Sequence, residues 1–124
     1  MLFRSAISEL SPDGLIAGKR ASPLDDNVLH LRDDLFGDDA LIWSPVESRG
    51  LTYGVEGRPS LRIDWEAPEL GVWTKPGAAY VCVEPWHGIA DPHGYTGDFR
   101  DKPGVFEVAP GGEKRIAMSV TLAG

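Results

Sequence analysis

The chain has 124 residues, a formal net charge of −7 and a pI near 4.8. That length accommodates one domain or part of one, and the acidic balance argues against nucleic acid or an anionic membrane as partner, since both select a basic surface. Cys82 is the only cysteine, which rules out an intrachain disulfide and makes a reducing cytoplasm the expected compartment. No run approaches the length of a membrane span, and residues 1–7 are too short and broken for the apolar core of a signal peptide.

Fifteen glycines and ten prolines are spread along the whole chain, the pattern of many short strands joined by turns and not of a linker. The first thirty residues are turn-rich, with Ser11-Pro12-Asp13-Gly14 and Ser22-Pro23-Leu24-Asp25-Asp26-Asn27 as loop signals. A short strand is predicted at 28–32, and a buried one in the apolar run 40–43. Leu51, Tyr53 and Val55 share a face in 51–55, and 61–65 alternates cleanly after the Gly57-Arg58-Pro59 turn. The segment 79–84 reads as a central strand, 105–108 as a further one, and 114–122 ends the chain with Ile116, Met118, Val120 and Leu122 on one side. Helical periodicity with caps is absent throughout. The expected fold is all-β, an antiparallel sandwich.

The most informative stretch runs from Tyr80 to Asp91. Alternation puts Tyr80, Cys82 and Glu84 on one face and Val81 and Val83 on the other. A lone carboxylate at the mouth of a strand beside Trp86 suits a general base in a sugar pocket; it equally suits a Glu that satisfies turn amides next to a packing Trp. Trp86, and Trp73 from the preceding strand, can each offer a flat apolar face to a pyranose ring or fill the core, while Trp43 and Trp65 sit inside strand patterns and are assigned to packing. Cys82 reads as a buried structural thiol directed into the sheet core. His87 and His93 are near enough in sequence to Glu84 to act as proton donors. Cys82, His87, Asp91 and His93 fit no common zinc spacing, so no metal is expected.

Three blocks, Val-Trp-Thr-Lys-Pro-Gly (72–77), Val-Cys-Val-Glu-Pro-Trp-His-Gly-Ile-Ala-Asp (81–91) and Thr-Gly-Asp-Phe-Arg-Asp-Lys (96–102), resemble the aldose 1-epimerase (galactose mutarotase) family, in its LacX-like branch. Leu35-Phe36-Gly37-Asp38-Asp39-Ala40-Leu41-Ile42, Ser48-Arg49 and Pro110-Gly111-Gly112-Glu113 fit the same pattern. The resemblance runs from about residue 10 to the end. It implies a galactose mutarotase-like β-sandwich of which residues 1–124 are the C-terminal portion, and an isomerase that interconverts the anomers of a hexose by acid–base ring opening. Glu84 matches the family's base. Asp39 falls where the family places a carboxylate for sugar hydroxyls, though it equally reads as a solvated loop acid, as the pairs Asp25-Asp26 and Asp33-Asp34 do.

Trp86, Trp73 and His87 are the candidate sugar-contacting residues, although the family branch commonly carries a different aromatic residue at position 87, and proton shuttling calls for no cofactor. The histidine that serves the family as acid has no counterpart here, and His30 lacks its context. Completion of the site would then come from an upstream half of the same domain or from a second polypeptide, with a homodimer as one outcome of the exposed sheet face. Phosphorylated and neutral hexoses both remain open, with Lys75, Arg100 and Lys102 the only cations near the key loop. The alternative function is a non-catalytic carbohydrate-binding module of the same fold, and a further one is a purely structural β-domain.

Overall fold

A computed structural model describes residues 6–123. Among the described residues, eight strands form two antiparallel sheets. The larger, five-stranded sheet contains β1 (Ile7–Leu10), β2 (Ile16–Arg20), β3 (Leu41–Trp43), β6 (Glu69–Trp73) and β7 (Cys82–Trp86), in the order β2-β1-β3-β6-β7. The three-stranded sheet contains β4 (Gly50–Tyr53), β5 (Ser60–Trp65) and β8 (Met118–Ala123), in the order β4-β5-β8. Two short 3-10 turns, Asp33–Phe36 and Phe99–Asp101, are the only helical elements among the described residues. The all-β sandwich expected from the turn spacing is therefore the fold.

The core follows from strand register. Leu41 opposes Val72, which opposes Val83, and Trp43 opposes Leu70. These side chains share one face of the five-stranded sheet, and with Ile7 they pack on Ile63 and Trp65 of β5. Trp43 and Trp65 are buried there, as their strand patterns predict, and Trp43 Nε1 donates to Ser22 Oγ at 3.4 Å. Each inward-facing aliphatic or aromatic residue removes enough apolar surface from water to contribute roughly 1.5–3 kcal/mol. The chain passes between sheets along 44–49 and 66–68, where Val46 N–H donates to the Pro68 carbonyl and Arg49 Nη1 to the Ala67 carbonyl.

The opposite face of the five-stranded sheet is also covered. Ser8, Ile42, Gly71 and Glu84 lie in one row across β1, β3, β6 and β7. Ser8 and Ile42 are buried although Ile42 stands outside the main cluster. The cover includes the loop after β7, which reaches from that edge strand to the other edge: Ile16 N–H donates to the Asp91 carbonyl, and His93 N–H donates back to the Ile16 carbonyl.

Several elements differ from the sequence expectation. Residues 28–32 form no strand; Asp25 and Val28 bridge to each other across a turn in which Asp26 and Asn27 have left-handed backbone. Residues 105–108 are irregular, and the last strand begins at Met118. β1 and β2 arise inside the region that reads as turns, because each finds its partner in the other and β1 also in β3. The strand carrying Glu84 begins at Cys82, so Tyr80 lies outside it, and it is an edge strand, not a central one. Pro85 within it explains the placement, since proline lacks the N–H a central strand needs. Cys82 is only half-buried, on the face of Glu84 and opposite the one that carries Val83, and so is not in the main core.

Candidate functional site

The β6–β7 ladder builds the site. Gly71 opposes Glu84, and Glu69 opposes Trp86, so all four share the face of the sheet turned away from the three-stranded one. The Trp86 indole folds back along its own strand, where Nε1 donates to Glu84 Oε2 at 3.1 Å. It can do so because residue 71 has no side chain. A Cβ at that position would stand 2.6 Å from Cζ2 and 2.9 Å from Cη2 of the indole, closer than real carbon contacts allow. One face of the ring thus rests on bare backbone. Glu84 itself is half-buried, with its carboxylate at the edge of the indole.

On the other side of Trp86, Glu69 is a buried carboxylate, 9% exposed, and its Oε2 accepts from Gly88 N–H at 3.2 Å. Gly88 has φ of 95° and lies against Gly104, whose own φ is 85°. A Cβ on Gly104 would meet Gly88 Cα at 2.6 Å. The loop 88–104 therefore closes on itself through two glycines at its neck. Inside it, Lys102 Nζ pairs with Asp91 Oδ1 at 2.6 Å, with the lysine side chain only 14% exposed. The Tyr95 hydroxyl donates to the Asp98 carbonyl at 2.7 Å. Burial, and then the negative charges of Asp101, Asp98 and Asp91, raise the Tyr95 pKa against the opposing pull of Lys102.

Beyond Trp86 this loop bounds an open cavity of about 500 Å³, whose walls include Trp86, His87, Phe99, Lys102 and Phe106. The His87 ring stands edge-on to Phe106 at 6.0 Å, and Lys114 lies over the other ring at 5.1 Å. Glu84 is not part of that wall; Trp86 is the element common to the carboxylate and the cavity. A larger depression of about 920 Å³ opens at the mouth between the sheets, lined on one side by Val72, Val81 and Val83 and on the other by Leu51, with His30 and Arg49 at hand.

Of the residues singled out in the sequence, Glu84 meets Trp86 through a hydrogen bond, and His87 shares a cavity wall with Trp86 but not with Glu84. Trp73 lies on β6 two residues from Gly71, opposite Cys82; it packs against the core cluster and contacts the Tyr80 ring at 6.1 Å. Asp39 is exposed, with φ of 77°, and its Oδ1 accepts from Ala40 N–H at 2.8 Å. It stands three residues ahead of Ile42, whose row leads to Glu84, so the fold does not set the two carboxylates side by side. His93 is exposed and tied to β2 through its backbone. Asp33 Oδ2 accepts from Gly77 N–H at 2.9 Å, and Asp34 pairs with Arg32, which lowers the aspartate's pKa by hydrogen bonding first. Arg100 pairs with Glu107. Among the described residues no group of three or more His, Cys, Asp or Glu side chains is arranged to hold a metal ion.

Two residues of the site escaped the sequence reading. Gly71 sits inside the apolar run Glu69-Leu70-Gly71-Val72-Trp73, and an isolated glycine in a strand signals close approach by another group. Glu69 begins the same run, where a charged residue reads as the polar end of a strand. No family model, no curated protein and no solved structure matches the chain. Among the described residues no helix is long and apolar enough to cross a membrane.

Proposed function

We propose that this chain is the carboxylate-bearing portion of an aldose 1-epimerase-like sandwich, of galactose mutarotase type, acting on a hexose. The observation that carries the reading is the Trp86 indole laid flat on Gly71 with its Nε1 bonded to Glu84. Pyranose rings stack their C–H faces on aromatic platforms, and a carboxylate at the platform's edge meets the hydroxyls at the rim of the sugar. The resemblance of residues 81–91 to the family's base-containing block supports the same assignment.

In this scheme Glu84 Oε2 stays on the indole N–H, and Oε1 takes the proton from the C1 hydroxyl. The electrons of that O–H bond form the C1 carbonyl, the bond from C1 to the ring oxygen breaks, and an acid delivers a proton to that oxygen. Rotation about the C1–C2 bond and closure on the other face reverse both transfers. Neither transfer requires a cofactor. His87, next to Trp86 in the chain, is the donor this chain itself offers; otherwise the acid comes from a segment upstream or a second copy. Trp73 and Asp39 would contact the sugar only at its periphery.

A non-catalytic carbohydrate-binding module is the second reading, favoured by an acid-poor site that still keeps platform and carboxylate. Polarimetry on freshly dissolved α-D-glucose and α-D-galactose separates the two. Acceleration that Glu84→Gln abolishes is the expected result for an epimerase that completes its own site. Saturable sugar binding, read from tryptophan emission, without acceleration identifies the module. Neither response from a folded chain removes the carbohydrate reading for this polypeptide.

A further inference from the structure

We infer that Glu69 is a positioning residue that clasps the loop 88–104 to the sheet and so fixes His87 and Lys102 against Trp86. A buried carboxylate is costly unless hydrogen bonds compensate it, and side chains of this type are seldom buried without a specific partner. Glu69 is nine-tenths buried, and the partner the fold gives it is the amide of Gly88. A hydrogen bond to a charged acceptor is stronger than one between neutral groups, and its geometry is directional.

Gly88 is the point where that bond has most leverage. It follows His87 directly, and it is the residue on which Gly104 closes. Fixing Gly88 therefore fixes both ends of the loop with one contact from β6. The register strengthens the argument, because Glu69 opposes Trp86 on the same face. Glu69 and Glu84 bracket the indole: Glu84 holds its N–H, and Glu69 holds the backbone two residues on. The loop carries its own internal ties, Lys102 to Asp91 and Tyr95 to Asp98. Those shape the loop but do not tie Gly88 to β6, and the bridge from Asp91 and His93 to Ile16 holds the loop to β2, at the other edge of the sheet, three to five residues beyond Gly88.

The clasp is independent of what the site binds; only its consequence for a sugar rests on the carbohydrate reading. The test is amide hydrogen exchange on the wild type, Glu69→Ala and Glu69→Gln. Loss of a hydrogen bond to a charged group corresponds to roughly ten- to hundred-fold faster exchange at the amide released. Gly88 should show that acceleration in Glu69→Ala, while Ile42 and Gly71 in the sheet keep their protection. Glu69→Gln, whose amide oxygen accepts in the same place, should restore most of it.

Unchanged Gly88 exchange in Glu69→Ala overturns the inference, as does equal acceleration in Glu69→Gln. Unfolding of Glu69→Ala would appear as lost protection at Ile42 and Gly71, and the Gln variant then decides: wild-type Gly88 protection supports the clasp, and its loss with the sheet intact overturns it. A parallel titration of D-galactose, followed by tryptophan emission with Trp86→Phe as the control, reads the consequence. Weaker binding in Glu69→Ala than in Glu69→Gln supports the positioning role. Absence of binding in the wild type overturns the carbohydrate reading and leaves the exchange result to decide the clasp.

Discussion

The β6–β7 pair and the β5–β8 pair are built on the same alternation, yet β6 is covered on both faces while β8 is bare. Along β6 every residue but Trp73 is buried, with Leu70 and Val72 facing the small sheet and Glu69 and Gly71 under the loop and the Trp86 ring. Along β8 every residue but Ala123 is exposed, although Met118, Val120 and Leu122 extend the row of Trp65, Ile63 and Leu61. Leu122 is 72% exposed. Alternation states which side chains share a face; it does not say whether anything lies upon that face. β8 is also an edge strand without charge or proline, lacking the devices that discourage edge-to-edge pairing.

The largest expected contrast comes from matched substitutions on the two pairs. Leu70→Ala removes a fully buried side chain from the core and should cost about 2–5 kcal/mol in urea unfolding. Val120→Lys, at an exposed position on β8, should stay within about 0.5 kcal/mol if that face meets only water. A second copy seated on β8, the homodimer proposed for this fold, changes the second result. Val120→Lys would then convert a dimer to a monomer in sedimentation equilibrium, and stability would depend on protein concentration in the wild type alone. A monomeric wild type of concentration-independent stability would remove the dimer.

An intermediate effect is expected at Gly71. Adding one methyl group there places carbon within 2.6 Å of the indole, so Gly71→Ala must displace Trp86 from the sheet. Overpacking of this kind costs about 1–3 kcal/mol. The bond from Trp86 to Glu84 should break with it, giving red-shifted tryptophan emission and loss of any sugar response, while the fold persists by far-ultraviolet dichroism. Unchanged emission and stability would mean that the indole does not depend on bare backbone at 71, and the platform argument would fail.

These positions also show what the sequence can and cannot disclose. The separation of Val83 from Glu84 onto opposite faces was legible from alternation, as were β3, β4 and β5, whose apolar residues cluster densely enough to mark strands; which of the two faces is the core was not, because Cys82, expected in the core, shares the face of Glu84. β1 and β2 were not, because Ile7-Ser8-Glu9-Leu10 and Ile16-Ala17-Gly18-Lys19-Arg20 are weak strand formers lying among turn residues. They become strands by pairing with each other and with β3, a long-range effect that no local window contains. The segment 28–32 erred in the opposite direction: it has strand composition but no partner. At the site, Glu84 and Trp86 could be placed on one face from spacing, and Pro85 could have marked the edge. The Glu69–Gly88 bond joins residues nineteen apart through a register that only the fold sets.

The smallest effect lies in the loop itself and tests whether it holds its shape. Tyr95 has its pKa raised by burial, then by Asp101, Asp98 and Asp91, with Lys102 opposing. A tyrosine raised in the folded state favours folding while protonated. That contribution is fully present below the unfolded pKa near 10 and is lost as pH rises through the higher folded value. Ultraviolet titration should therefore find Tyr95, identified by its loss in Tyr95→Phe, ionising above the ordinary tyrosine value. Asp101→Asn should bring it partly back, and high salt should do the same, because exposed charges act through screened water. Glu69→Ala, by loosening the neck, should move it in the same direction even though Glu69 does not touch Tyr95. A tyrosine that ionises normally in the wild type would show that the loop does not keep Tyr95 under these carboxylates in solution. The comparison with β8 would then sharpen: the cover over the Glu84 face would reduce to the Trp86 ring on Gly71.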